Sequence, residues 1–521
     1  MSATKTRRLL ALCVGLTCSL ATVAQAQIFQ STFPGGGSAD AARGGVLQTI
    51  DGGTISVGES RSFGAGDYDV YVVKTDRCGS LEWSATYNIG GNDFGRKIRA
   101  TADSSYIIVG STENLNNCCV TSSLISRPTR DIFLLKIAAD GSVQWAKTYG
   151  GLRNEEGNDV QLTGNDGYVV AGSTQSFGNG RLNGYLIRTN LTGNVVWART
   201  YGENVEFFNS CAVLRSGQIV AVGASASFTD LNNIFMVRTL SDGSLATANI
   251  YPTRGTSVAR HVIQINSREL LIAGYISLAK LGTQKDGYLL RINLEDGTAS
   301  GDRAYSGAEF GFDDELAEVR MVTSPFELRP TFVVTGYLTR APGGFGGRDL
   351  YLAEMDNTLN PIWNTVHGGV GEDEGYSLAA SSLNLRTPKF TANGVTTSFT
   401  RAGDAELYLI QGIRNGRTGC NDAEVKVEHY AVGLANRAVR FCTPVAYTQC
   451  DARVAVVYNK RQNPLCTSCD DSDDLKQMEE ENGELSLAPA GQDEIQIRHD
   501  ALLPTAPAVQ AMDLTDRRLR N

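Results

Sequence analysis

The chain has 521 residues, 20% of them charged, with a formal net charge of −9 and 56 glycines against 13 prolines. That balance excludes a long disordered chain and a coiled coil, and an acidic surface argues against nucleic acid or anionic lipid as partner. It suits a turn-rich β protein.

In chain order, residues 1–26 read as a secretory leader. Lys5, Arg7 and Arg8 form a basic start, Leu9 to Leu20 an apolar stretch, and Ala24-Gln25-Ala26 a small-residue cleavage site. The apolar run is too short to span a membrane, and no later segment qualifies. A mature start near Gln27 moves the net charge from −9 to −12.

Beyond the leader a phrase repeats every 50–60 residues. Trp83, Trp145 and Trp197 each lie four residues before Tyr87, Tyr149 and Tyr201, and Trp363 keeps that spacing with His367. The clearest copy predicts four strands. Asn158 to Thr163 alternates, Tyr168 to Thr174 is rich in β-branched and small residues, Tyr185 to Thr189 follows a polar Gly/Asn loop, and Val195 to Tyr201 follows a tight turn. Four such strands make one antiparallel blade.

Third strands recur at Val70–Thr75, Ile132–Ile137, Tyr185–Thr189, Ile234–Thr239, Tyr288–Ile292, Leu350–Met355 and Leu407–Ile413, seven in all. Fourth strands number six, because the chain after Ile413 turns into RNGRTGCN. The seventh stands at the other end, where Ile28 to Gly36 puts Phe29 in the Trp slot and Phe33 in the Tyr slot. The prediction is an all-β, seven-bladed propeller over 27–417, closed by an N-terminal strand. Trp and Tyr four apart on a strand share a face, so they are expected to pack between blades. Thr247 and Gly301 occupy the Trp slot in the fourth and fifth copies, which predicts looser packing there.

Nine cysteines follow the leader. Disulfide candidates are Cys118 and Cys119 in a long loop, and Cys420, Cys442, Cys450, Cys466 and Cys469 near the C-terminus. Four of these (Cys442, Cys450, Cys466, Cys469) offer a zinc set as the alternative to disulfides. Residues 418–469 read as a Cys-rich connecting module with β character, 470–484 as an acidic linker, and 485–521 as a separate β segment.

The phrases DGSVQWAKTYGG and NDGYVVAGST, at Asp140–Gly151 and Asn165–Thr174, resemble those of secreted bacterial β-propeller repeat proteins. The hairpin with Gly-x-x-x-Trp is also partly similar to blades of the pyrroloquinoline-quinone dehydrogenases. LAPAGQDEIQIRHD and AVQAMDLTDRRL, within 485–521, resemble the opening of a type IX secretion sorting domain in truncated or degenerate form. That resemblance implies a secreted or cell-surface location and engagement with secretion machinery through the C-terminal segment.

Acidic clusters precede the blades: Glu155-Glu156, Asp313-Asp314-Glu315 and Glu372-Asp373-Glu374. In a propeller these connections share one face with the loops joining second and third strands. Glu155, Glu156, Asp313, Asp314, Glu372 and Asp373 are therefore candidates to hold Ca2+ or meet the hydroxyls of a glycan. The competing reading is that they accept hydrogen bonds from local backbone amides and fix the turns. No histidine motif, nucleophile elbow or phosphate loop is present. The functional expectation is a secreted or surface propeller that binds a protein or polysaccharide. The alternative is an extracellular glycan-active enzyme or a quinone-type oxidoreductase on the same scaffold.

Overall fold

In the computed structural model the described residues run from 28 to 468, with breaks at 34–39, 42, 65–67, 115–128, 228–230, 278–283, 308–311, 324–328, 381–388, 401–403, 414, 435–436, 439–442, 445–447, 452–454 and 460–462; two short strands follow at 486–487 and 497–498. The leader, Cys118, Cys119, Cys442, Cys469, the acidic linker and nearly all of 485–521 lie outside them.

Seven antiparallel sheets form the seven blades of a β-propeller, and the described residues contain no helix. Blade 3 is typical, with Glu155–Leu162 innermost, then Tyr168–Thr174, Asn183–Thr189 and Val195–Tyr201. Blade 7 takes Asp373–Ala380, Phe390–Thr396 and Glu406–Gly412, and its fourth strand is Ile28–Phe33 from the N-terminus. Phe29 pairs with Gln411 and Phe33 with Leu407, and both rings are fully buried. The ring closes as the repeat count predicts.

The repeated Trp/Tyr phrase fastens each blade to the next. The Tyr149 hydroxyl donates to the Gly193 carbonyl at 2.6 Å, and a Cβ on Gly193 would stand 2.9 Å from the Trp145 ring. Gly193 holds φ +77° at the close approach, a conformation glycine adopts without strain. Tyr87, Tyr201 and Tyr251 reach the Gly141, Gly243 and Gly297 carbonyls in the same way, and Tyr305 reaches Leu359. Where Gly301 replaces Trp, an added Cβ would meet nothing within 4 Å, so the slot stands open. The tryptophans themselves are only half-buried. The buried tyrosines carry the seam.

The described residues of 418–469, read from sequence as a Cys-rich connecting module, lie on the propeller itself. Seven short strands follow one another around the rim, and each adds a fifth strand to one blade. Asp422–Glu424 pairs with blade 6, Glu428–Tyr430 with blade 5 and Arg437–Ala438 with blade 4. Thr443–Pro444 joins blade 3, Thr448–Asp451 blade 2, Ala455–Asn459 blade 1 and Asn463–Ser468 blade 7. This belt runs once around the ring against the direction of the blades. Ring closure by the N-terminal strand leaves every fourth strand with an open edge, and the belt pairs all seven.

Candidate functional site

Innermost strands line the central channel, and six of them carry a β-bulge at the same place. The register shifts at Gly95/Lys97, Gly157/Asp159, Phe208/Ser210, Ala259/His261, Leu316/Glu318 and Gly375/Ser377. A bulge inserts one unpaired residue and re-aims its side chain. The inserted residues are Arg96, Asn158, Asn209, Arg260, Ala317 and Tyr376, and all six line one cavity of about 580 Å³. In blade 1 the inner strand is interrupted between Ala41 and Val46, and Arg43 from that gap joins the lining.

Local packing explains the bulge. Cβ atoms on Gly95, Gly157 and Gly375 would stand 2.6, 2.9 and 2.5 Å from atoms of the preceding blade. Glycine before the inserted residue lets the blades converge on the axis. In blades 3 and 4 the inserted amide clasps the next blade: Asn158 donates to the Phe208 carbonyl at 2.8 Å, Asn209 to Ala259 at 2.7 Å. The inserted residues of blades 2, 5 and 7 are Arg96, Arg260 and Tyr376.

Five cations (Arg43, Arg96, Lys97, Arg130, Arg260) and three carboxylates (Glu156, Asp159, Glu315) line the cavity, a local excess of positive charge on an acidic chain. Each arginine is steered by a carboxylate. Arg43 and Arg96 lie 3.5 and 3.9 Å from Glu59, Arg130 3.3 Å from Glu156, and Arg260 2.5 Å from Glu315. Aromatic rings support three of them: Arg96 and Arg130 stand 5.5 and 5.1 Å from the Phe94 centroid, Arg260 5.6 Å from Tyr275. Tyr376 donates to Glu374, and burial with that carboxylate pushes its pKa up. Burial acts to lower the Arg260 pKa, but Glu315 outweighs it and the net shift is upward.

Beneath the mouth, the residues after the inserted ones form a buried polar floor. Lys97 of blade 2 meets Glu318 of blade 6 at 2.6 Å, spanning the channel. Arg320 also pairs with Glu318, and His261 approaches it at 3.5 Å. Arg99 lies 3.3 Å from Asp159, which accepts from Ser210 at 2.9 Å. Burial opposes the Glu318 charge, yet Arg320 and Lys97 prevail and hold its carboxyl well below the usual range. Burial lowers the Lys97 pKa and takes His261 well below its ordinary value, so the imidazole is neutral.

Of the six acidic candidates, only Glu156 reaches the cavity. Glu155 accepts from the Gly151 and Ser176 amides at 2.8 and 3.0 Å, and Asp314 from Gly307 and Thr339 at 2.8 Å each. Asp373 accepts from Gly369 at 2.9 Å, Asp313 from Lys285 at 3.1 Å and Glu372 from Arg348 at 3.2 Å. Burial raises Glu155 and Asp373 and pushes Asp314 up to about 7. Those three are turn staples, as are Asp93 and Glu206 in blades 2 and 4. Among the described residues no group of three or more His, Cys, Asp or Glu side chains is placed to hold a metal ion. Sequence reasoning missed Arg43, Arg96, Arg130, Arg260 and Tyr376. A signal was present for two, since Arg96 and Tyr376 close the acid-x-Gly-x pattern of DFGR and DEGY.

No protein-family model matches the chain, and no curated protein does. Solved structures similar to it include the phage phi92 endosialidase, at 9% identity and TM-score 0.38, covering 92% of this chain and 80% of that one. The Trypanosoma rangeli sialidase in complex with sialic acid has 9% identity and TM-score 0.35, covering 73% of this chain and 56% of that one. The Kuenenia stuttgartiensis hydrazine synthase has 10% identity and TM-score 0.35, with 51% and 73% coverage.

Proposed function

We propose that the protein is a binding propeller and that its channel mouth takes a short segment of an acidic polysaccharide. The convergence of Arg43, Arg96, Arg130 and Arg260 on one cavity carries this reading. Guanidinium groups present paired donors that match a carboxylate or sulfate. Their own carboxylate partners leave these side chains one-third to one-half exposed, so each keeps donors free for a ligand. Phe94 and Tyr376 supply flat surface, and Asn154 and Gln175 supply amides for hydroxyls. A concave cavity of about 580 Å³ suits a few sugar rings better than a protein face, which needs roughly 800 Å² per partner.

Binding is favoured over catalysis because Asp93 and Asp314, raised to about 7, and Asp349, raised to about 6, accept from turn amides and none of them lines the cavity. The leader at 1–26 and the sorting-domain-like segment at 485–521 support a secreted or surface location for this role. The test is a glycan array probed with purified protein, comparing uronate-bearing and sulfated chains with neutral ones. Binding confined to the acidic set is expected. Equal binding to neutral chains, or none at all, would overturn the reading.

A further inference from the structure

We propose that the belt is closed into a covalent hoop by a disulfide between Cys420 and Cys466. Cys420 stands two residues before the first belt strand, Asp422–Glu424, and Cys466 lies within the last, Asn463–Ser468. A bond between them turns a strap of 47 residues into a ring around all seven blades.

Gln30 brings the two ends together. It is the register partner of Cys466 in the pairing of the N-terminal strand with the last belt strand. Its side-chain amide donates to the Cys420 carbonyl and the Thr418 hydroxyl, and lies 3.4 Å from His367 Nδ1 on blade 6. Residues directly opposite in an antiparallel pair share a face, so position 466 belongs to the face on which Gln30 reaches Cys420. The neighbouring glycine agrees, since a Cβ on Gly419 would lie 3.6 Å from Ile28, whose partner is Ser468. Ile28 and Gln30 alternate onto the same face. Cys420 is disulfide-bonded.

A hoop answers a weakness of the belt. Among the described residues its strands on blades 3 and 4 each make two residue pairs, too few to hold alone. With free ends such a strap peels stepwise from either end; with joined ends no terminus is left to fray. Closure joins the two sulfurs and removes two electrons and two protons. A disulfide of the oxidising folding compartment accepts them by exchange and leaves as two thiols.

The test is peptide mapping of the full-length protein, alkylated and digested without reductant and read by mass spectrometry. The expected result is one cross-linked species joining the Cys420 and Cys466 peptides, lost on reduction. Cys420 found alkylated, or joined to any other cysteine such as Cys78, would overturn the proposal. A Cys466→Ser variant supplies the second reading: Cys420 should become alkylatable, and protease should release belt fragments at least tenfold faster than from wild type. Unchanged protection of Cys420 in that variant contradicts the hoop.

Discussion

Tyr149 donates its hydroxyl proton to the carbonyl of Gly193, 44 residues further on and one blade away. The same bond recurs from Tyr87, Tyr201 and Tyr251, so the repeated phrase encodes a seam between blades rather than a shape within one. Tyr149→Phe keeps the ring and leaves the Gly193 carbonyl without its donor. A loss of about 1–3 kcal/mol in urea unfolding is expected. A variant as stable as wild type would show that ring packing alone holds the seam.

Glycines at two different seams should behave oppositely. Gly193→Ala forces a Cβ into the Trp145 ring at a positive φ and should destabilise by at least 1 kcal/mol or so. Gly301→Ala enters open space in a strand and should be neutral or stabilise by up to about 1 kcal/mol. Thermal melts of the two variants check the pair.

The channel floor predicts an asymmetry. Glu318→Gln strands Lys97 and Arg320 together and should cost about 3–5 kcal/mol. Lys97→Met leaves Glu318 paired with Arg320 and should cost less. Equal losses in chemical denaturation would mean that the cross-channel pair, not the Glu318 cluster, sets the energy.

Two buried groups set opposite pH dependences. Burial pushes Asp314 from 3.8 up to about 7, so the folded state holds that proton more tightly. Its contribution is fully present below pH 3.8 and is lost as pH rises through about 7. Burial lowers His367 from 6.5 to about 3, so its contribution is present above pH 6.5 and is lost as pH falls toward 3. Urea midpoints from pH 4 to 8 should therefore shift differently in Asp314→Asn and His367→Gln. The first should flatten the loss with rising pH, the second the loss with falling pH. Parallel curves would contradict both assignments.

Much of the architecture was legible because the strand period and the Trp/Tyr spacing repeat locally. Phe29 and Phe33 even disclosed the closing strand. The belt was not legible, since strands as short as Arg437–Ala438 and Thr443–Pro444 carry no alternation to read and exist only against an edge. The site was half-hidden for a similar reason. Glu155 and Glu156 look equivalent in sequence, yet alternation sends one into a turn and the other to the cavity. Arg43, Arg96, Arg130 and Arg260 are scattered along the chain and meet only when the ring closes.

Recognition of an acidic saccharide by the arginines at the channel mouth is checked by calorimetric titration of a uronate oligosaccharide into wild type, Arg96→Ala and Arg260→Ala. Binding should weaken with salt and fall at least tenfold, about 1.4 kcal/mol, in each variant. Undiminished affinity in both variants, or equal affinity for the carboxyl-reduced oligosaccharide, would contradict it.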